Sequence, residues 1–252
     1  MIMNVNLRKY KNIHEGKRVF IIGNGPSLAN TNLDLIKDEY SIAMNRISLL
    51  YPKFLWRPTY FLFSSSNCLD KEWGSQWTQS VKETYTDKRT KCFIWEKYRS
   101  VIDPNNEHAI EWIRSMTEFK PNSRGDIDVR WWPNNIEYRM DKSATTMNLA
   151  LQIANYMGFS EIIFLGVDLG FVADRGFNQD PNHFSQQYNA HIIPEKVDKI
   201  NNQMRNVHKL ARMKIPARIK MYNASITTNL DIYPRICYST LLKEKKYKLL
   251  NL

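Results

Sequence analysis

The chain has 252 residues, of which 43% are hydrophobic and 24% charged, and its formal net charge is +11. This length and apolar content are enough for one sizeable core, so we expect a single domain over residues 1–252. The longest apolar runs, such as residues 162–167, are too short to span a bilayer, which takes about 20 residues. Residues 1–18 are polar and mixed in charge, unlike a signal peptide, and we therefore expect a cytoplasmic protein.

The positive charge predicts an anionic partner, such as a nucleotide, an acidic glycan or a lipid surface. The sequence contains no RNP motif, zinc finger or evident helix-turn-helix, so we expect no nucleic-acid partner. The three cysteines are odd in number and widely spaced, which is typical of free thiols in a reducing compartment. The sequence shows no His/Cys cluster with the spacing of a zinc site, and we expect no bound metal.

Four short apolar runs predict buried strands in the first hundred residues. They cover residues 19–22, 41–44, 59–63 and 91–95, and the first is ended by Gly23. A short helix is predicted between the first two strands, over residues 33–37. The next stretch, residues 96–142, is irregular and rich in Pro, Asn and aromatic residues, and we interpret it as an insertion or lid outside the central sheet.

The second half of the chain has a clearer pattern. Apolar residues recur at three- and four-residue steps from Met147 to Met157, which predicts an amphipathic helix that ends at Gly158. A buried strand follows at residues 162–167. A polar helix over residues 194–214 and a late strand over 218–222 complete the elements, and residues 243–252 form a basic tail. This order predicts an α/β protein with a doubly wound, mostly parallel, Rossmann-like sheet.

In such sheets ligands bind beyond the carboxyl ends of the strands. Small or polar residues follow four of the predicted strands, at Gly23–Ser27, Asn45–Arg46, residues 64–67 (including Ser65) and Asp168–Phe171. The agreement among these four strand ends predicts a binding site at this edge of the sheet.

The loop Gly23-Asn24-Gly25-Pro26-Ser27 is the leading candidate for phosphate binding. The glycines allow a sharp turn and a close approach, and backbone N–H groups would face the anion. Pro26 stiffens the turn, Ser27 offers a hydroxyl, and the Asn24 amide can donate and accept hydrogen bonds. The loop matches neither GxGxxG nor a Walker A sequence, and an ordinary strand–helix turn is the alternative.

Other polar residues extend the candidate site. Asp168 suits a ribose hydroxyl, a metal or a structural backbone contact. His183, in the polar loop 180–184, is a candidate general base, and His191 is the competing choice. Thr145 and Thr146 open the predicted helix, where they either cap it or contact an anion or sugar. Arg46, with Arg139, Lys142 and Arg175, is a candidate for binding a phosphate or carboxylate.

Three motifs together resemble a known superfamily. They are GNGPSL after the first strand, Asn45 after the second, and the block TTMNLALQIANYMGFSEIIFLGVD at residues 145–168. The superfamily holds the family-42 bacterial sialyltransferases and the 6-hydroxymethylpterin pyrophosphokinase (MptE)-like proteins, and the segments at 180–184 and 222–225 resemble its polysaccharide-locus members. In the sialyltransferases these motifs contact a cytidine monophosphate (CMP) donor, which implies donor contacts at Asn24, Gly25, Ser27, Asn45, Thr146 and Asp168.

The chain also departs from the sialyltransferase pattern. Gly170 and Phe171 stand where tyrosines hold the donor phosphate, and Gln187 stands where the family has its base. The role of base therefore passes to His183 or His191, or the chain is not a sialyltransferase. The family's carboxylate-binding arginine is replaced by Ser143, so Arg139 or Lys142 are the substitutes.

The first hypothesis is a sialyltransferase-like glycosyltransferase that moves a nonulosonic acid from a CMP-linked donor to a surface glycan, without cofactor. An MptE-like pyrophosphokinase is the alternative, with ATP and a Mg²⁺ held by Asp168, Asp174 and Asp180. A non-catalytic nucleotide-binding protein of the same fold is the third. The expected partners are the donor and the glycan acceptor. A solvated C-terminus is the favoured interpretation of the basic tail, and weak peripheral contact with anionic lipid on the inner membrane face is the alternative; the oligomeric state is left open.

Overall fold

The computed structural model describes residues 3–69, 71, 74–102, 110–114, 116–117, 132–133, 135–142, 145–173, 175–176, 178–190, 192 and 194–241. At its centre is a seven-stranded parallel sheet with helices on both faces. This architecture confirms the predicted doubly wound, Rossmann-like α/β class.

The strands are β1 (Arg18–Ile22), β2 (Tyr40–Met44), β3 (Tyr60–Phe63), β4 (Lys91–Trp95), β5 (Ile110–Ile113), β6 (Met116–Thr117), β7 (Met140–Asp141), β8 (Glu161–Leu165) and β9 (Lys220–Asn223). The α-helices are α1 (Gly74–Tyr85), α2 (Thr146–Tyr156) and α3 (Val197–Lys214). Short 3-10 helices cover Val5–Tyr10, Pro26–Asn30, Leu33–Ile36, Ile47–Leu50, Ser66–Leu69, Glu96–Tyr98 and Pro194–Lys196. None of these described helices is long and apolar enough to cross a membrane.

The strand order places a topological switch point in the middle of the sheet. The order is β5-β4-β3-β2-β1-β8-β9, and β6 and β7 pair separately. From β1 the chain adds β2 to β5 in turn on one side, and it then returns to add β8 and β9 on the other side. β1 and β8 are therefore neighbours, and the following strands extend away from them in opposite directions. A crevice opens beyond the carboxyl ends of such a strand pair.

Side-chain alternation along each strand supplies two cores, one on each face of the sheet. On β1, Val19 and Ile21 pack in the core that α2 and α3 cover, whereas Phe20 and Ile22 pack in the core that α1 covers. Strands buried on both faces require continuous apolar runs, which is why the sequence showed them clearly.

Two elements differ from the sequence-based expectation. The insertion predicted at residues 96–142 contributes β5, which pairs with β4 at the edge of the central sheet, so that part of the prediction was wrong. Helix α1 was not predicted at all. Its large buried side chains, Trp77, Val81 and Tyr85, follow a four-residue spacing, but its other buried positions are glycine, serine and threonine, which weakens the apolar stripe.

Edge strand β5 is tied to the N-terminal segment through Glu111. Its carboxylate accepts hydrogen bonds from Asn6 (3.1 Å) and Tyr10 (3.0 Å), and it forms ion pairs with Lys9 (2.8 Å) and Lys91 (3.0 Å). Burial raises the pKa of Glu111, but the hydrogen bonds from Lys9, Asn6 and Lys91 outweigh it and hold the pKa at about 2. The network therefore stabilises the fold through the charged form of the carboxylate.

We expect Glu111→Gln to lower the free energy of unfolding by about 1–2 kcal/mol at pH 7. Because folding lowers this pKa from its ordinary value of 4.5, the contribution is complete above pH 4.5 and declines as the pH falls towards 2. Urea unfolding at pH 7 and at pH 3 measures the difference. Glu83→Gln, an exposed change on α1, is the control, and an equal, pH-independent loss in both variants would contradict the prediction.

Candidate functional site

A cleft of about 540 Å³ opens at the carboxyl ends of the strands, over the switch point between β1 and β8. The structure brings most of the predicted site residues together on its walls, namely Gly23, Asn24, Gly25, Pro26, Asn45, Ser65, Thr145, Thr146, Asp168 and His183. Ser27 and Arg46 do not line it. His191 lies outside the described residues.

The glycine-rich loop packs directly against the loop that follows β8. A Cβ atom at Gly23 would lie 2.2 Å from the carbonyl oxygen of Gly166, and one at Gly25 would lie 2.5 Å from an Asp168 carboxylate oxygen. Both distances are far below a van der Waals contact, so glycine is required at each position for a steric reason. The predicted close approach is therefore to another loop of the protein.

Three N–H groups of the glycine-rich loop form hydrogen bonds within this contact. Gly23 N–H donates to the Leu165 carbonyl (2.7 Å), and Gly25 N–H donates to the Gly166 carbonyl (2.8 Å). Ser27 N–H donates to Oδ2 of Asp168 (2.6 Å). The expectation that these N–H groups face a phosphate was wrong, because hydrogen bonding between β1 and β8 continues into their loops.

Asp168 and Ser27 bind each other. The Ser27 hydroxyl donates to Oδ1 of Asp168 (2.5 Å), so both carboxylate oxygens hold the glycine-rich loop. Burial raises the pKa of Asp168, while the Ser27 hydrogen bonds oppose the rise. Of the alternatives for Asp168, the structure shows the structural backbone contact. The predicted donor contact of Ser27 is corrected in the same way, since its hydroxyl is directed to Asp168.

Arg46 is buried, contrary to the expectation that it binds a phosphate or carboxylate in the cleft. The residue is only 4% exposed. Its guanidinium donates to the Ser80 hydroxyl (3.1 Å) and to the carbonyl oxygens of Gln187 (2.5 Å) and Tyr188 (2.9 Å). Nε and Nη1 of the guanidinium are therefore hydrogen-bonded to acceptors within the protein, and the bond to Gln187 is only partly buried. Of the other proposed cations, Lys142 lines the cleft, whereas Arg139 and Arg175 do not.

Asn24 is the loop residue whose side chain has unused capacity. Its backbone carbonyl accepts a hydrogen bond from Phe184 N–H (3.0 Å), which ties the glycine-rich loop to the loop that carries His183. Its side-chain oxygen is buried and has no hydrogen-bond partner among the described residues. Buried polar atoms are nearly always paired, so this oxygen gains a partner only if the Asn24 side chain rotates towards the cleft.

The N-terminus of α2 forms the opposite wall. The Thr145 hydroxyl accepts from Met147 N–H (3.2 Å), which is the predicted N-cap. The Thr146 hydroxyl donates to the Asn45 side-chain oxygen (3.2 Å) and lies 2.8 Å from the Ser64 hydroxyl. Asn45 has a left-handed backbone (φ 58°), a conformation that asparagine tolerates better than most residues. A helix N-terminus with hydroxyls around it favours an anion in the cleft.

His183 is held on two sides. Its Nδ1 lies 2.8 and 2.9 Å from the two carboxylate oxygens of Asp180, which is 2% exposed. Its ring stacks on the Tyr188 ring, with the centroids 3.8 Å apart and the planes 3° from parallel. When a neutral imidazole donates its Nδ1 proton to a carboxylate, Nε2 keeps a lone pair, as a general base requires.

The sequence did not predict that Asp180 and Tyr188 hold the His183 ring. Asp180 precedes His183 by three residues, a spacing that is visible in the sequence, but the sequence suggested Asp180 only as a magnesium ligand. Tyr188 left no comparable signal, because ring stacking depends on how residues 180–190 fold back. Among the described residues, two other histidines are buried: His14 lies 2.6 Å from the Tyr60 hydroxyl, and burial lowers the pKa of His208 to about 3.

No protein-family model and no curated protein matches the sequence. Among solved structures, the fold is similar to the MAf glycosyltransferase from Magnetospirillum magneticum AMB-1, with a TM-score of 0.52 and 16% identity over 97% of this chain. This chain spans 40% of the length of that protein.

Two sialyltransferases match with lower scores. Campylobacter jejuni CstII, in complex with CMP-3FNeuAc, has a TM-score of 0.47 and 13% identity over 88% of this chain and 86% of that one. Cst-I, also from Campylobacter jejuni, has a TM-score of 0.40 and 15% identity over 87% and 80%. The likeness to the MAf protein supports the α/β fold.

We expect Gly23→Ala to destabilise the fold by about 3 kcal/mol, because the new methyl group would overlap the Gly166 carbonyl oxygen. Urea unfolding followed by circular dichroism measures this loss. Gly16→Ala is the control: Gly16 has φ +74° and nothing near its Cβ position, so only the conformational cost of about 1 kcal/mol applies. Equal losses in the two variants would remove the steric explanation.

Proposed function

We propose that the protein is a glycosyltransferase that transfers a nonulosonic acid from a CMP-linked donor to the hydroxyl group of a surface glycan. The observation that carries the proposal is the Asp180–His183 pair, stacked on Tyr188, at the wall of a cleft over the switch point. The geometry supplies a general base, and the cleft occupies the place where sheets of this class bind nucleotides.

In the proposed reaction, Nε2 of His183 accepts the proton of the acceptor hydroxyl as its oxygen bonds to the anomeric carbon of the donor sugar. The bond from that carbon to the phosphate oxygen breaks, and CMP leaves with the electron pair. The Asp180 carboxylate holds the ring by Nδ1 and stabilises the imidazolium that forms. This mechanism requires no metal if helix and side-chain dipoles stabilise the leaving phosphate.

Three features support a nucleotide-linked donor. The buried side-chain oxygen of Asn24 has no partner among the described residues, and rotation of this side chain towards the cleft would offer it to a ribose hydroxyl or a base amine. The N-terminus of α2, with Thr146 and Ser64, provides dipoles for the phosphate, and Lys142 is the positive charge among the described lining residues. The motifs at residues 23–28 and 145–168 resemble those that contact CMP in the sialyltransferases.

The magnesium-dependent alternative has less support from the contacts. Asp168 holds Ser27, and Asp180 holds His183, so both carboxylates already have partners. Asp174 lies outside the described residues. The basic tail, residues 243–252, also lies outside them, and its contact with the membrane stays a prediction.

We expect CMP to raise the melting temperature without Mg²⁺ and to do so more than CDP, UDP, GDP, AMP or ATP. At about 100 times its dissociation constant, a ligand stabilises the fold by roughly 2.7 kcal/mol, which thermal-shift assays detect. Asn24→Ala should weaken the CMP effect without lowering the melting temperature of the free protein. A Mg²⁺-dependent preference for ATP would support pyrophosphoryl transfer. No change in melting temperature with any of these nucleotides would support a non-catalytic protein.

We expect His183→Gln to lower the transfer rate by about 10²–10⁴-fold, because general-base catalysis contributes that much. Stabilisation by CMP should stay unchanged, since the base acts on the acceptor, and this provides the internal control. Transfer is measured by CMP release from a panel of nonulosonic donors, with EDTA present. Full activity of His183→Gln would exclude this residue as the base and make His191 the next candidate.

A further inference from the structure

Arg46 makes contacts that the proposed reaction does not use directly. It follows Asn45 at the end of β2, is 4% exposed, and does not line the cleft. Burying a guanidinium is costly unless its donors are hydrogen-bonded. Here Nε donates to the Ser80 hydroxyl on α1, and Nη1 donates to the carbonyl oxygens of Gln187 and Tyr188. A buried charge is thus directed at the backbone of one loop.

A second donor holds the next carbonyl of the same loop. The indole N–H of Trp77, on α1, donates to the Asn189 carbonyl (3.2 Å). The guanidinium of Arg46 lies 5.9 Å from the centre of the Trp77 ring. Three consecutive carbonyl oxygens, at residues 187–189, are therefore hydrogen-bonded to Arg46, which follows β2, and to Trp77 of α1. Asn189 itself is in the left-handed conformation (φ 53°), so this stretch is bent as well as held.

The fixed backbone carries the ring on which the proposed base rests. Tyr188 is 1% exposed, its hydroxyl hydrogen-bonds with the Asn45 side chain, and its ring lies parallel to His183. The stack defines the plane of the imidazole, and Asp180 defines which nitrogen carries the proton. A displacement of the Tyr188 backbone would therefore move the imidazole relative to the acceptor.

We propose that Arg46 is a positioning residue for His183, acting through the carbonyl groups of Gln187 and Tyr188 and the Tyr188 ring. The proposal rests on the proposed function, in which His183 is the base. A planar guanidinium with three nitrogens reaches the Ser80 hydroxyl and both carbonyls at once, whereas a lysine ammonium is a single point of charge. Arg46→Lys keeps the charge and removes this geometry.

The test compares Arg46→Lys with Arg18→Lys in the full chain. Arg18 begins β1 at the opposite end of the sheet and pairs with Glu39 (2.7 Å), so it is a matched control. The first readout is the ring-nitrogen NMR spectrum of histidine-labelled protein across pH, with the His183 signals assigned by their loss in His183→Gln. The second is transfer kinetics, with kcat and KM measured separately.

In the wild type and Arg18→Lys we expect His183 to show the tautomer protonated at Nδ1. In Arg46→Lys we expect the His183 ring nitrogens to show the averaged signals of two tautomers. We also expect kcat to fall at least 10-fold, since a misplacement of about 1 Å can cost about 10²-fold. KM for the donor should stay within about 3-fold in this variant, because Arg46 does not line the cleft.

Unchanged His183 signals and kcat in Arg46→Lys would overturn the positioning role and leave the proposed function intact. If the wild type transfers no donor sugar, the proposed function fails, and the NMR comparison, which needs no substrate, still decides whether Arg46 orients His183. If Arg46→Lys does not fold, Ser80→Ala replaces it, because this change removes the hydroxyl that accepts the hydrogen bond from Nε of Arg46. Wild-type His183 signals in Ser80→Ala would then overturn the proposal.

Discussion

The contact between the loop after β1 and the loop after β8 is the constraint on which the site depends. Hydrogen bonding between these neighbouring parallel strands does not stop at their ends, because Gly23 and Gly25 donate to the carbonyls of Leu165 and Gly166. The missing side chains at both glycines let the two backbones meet. Asp168 then completes the contact by accepting from the backbone and hydroxyl of Ser27. The glycine-rich loop is thus bound to the loop that follows β8, and residues of both loops line the cleft.

The walls of the cleft come from segments that are far apart in the sequence. Asn24 follows β1, Asn45 follows β2, and Thr146 begins α2, yet Thr146 and Asn45 share a hydrogen bond. The segment that carries His183 is attached to this group at two points. Phe184 N–H donates to the Asn24 carbonyl, and Nη1 of Arg46 donates to the carbonyls of Gln187 and Tyr188. In our proposals this attachment places the base beside the nucleotide site.

The strong positive charge of the chain is not concentrated in the cleft. Among the described lining residues Lys142 is the positive side chain, and the others are mainly amides, hydroxyls and apolar groups. Arg46, which follows the lining residue Asn45, donates its hydrogen bonds to acceptors within the protein. An anionic donor would therefore be held by the dipole of α2 and by neutral hydrogen-bonding groups. The basic residues elsewhere raise the attraction of the whole surface for anions.

The sequence by itself determined the strands of the inner sheet, because strands buried on both faces require continuous apolar runs such as residues 19–22 and 162–165. It also placed the site at the strand ends, since glycines, asparagines and hydroxyl residues follow those runs. It could not reveal β5, which lies in an irregular stretch, or α1, whose buried residues are partly polar. Only the tertiary structure decided what Ser27, Arg46 and Asp168 do, because each is satisfied by a partner remote in the sequence, up to 142 residues away. The same holds for Tyr188 and His183: both positions are visible in the sequence, but their parallel stack depends on how the backbone between them folds.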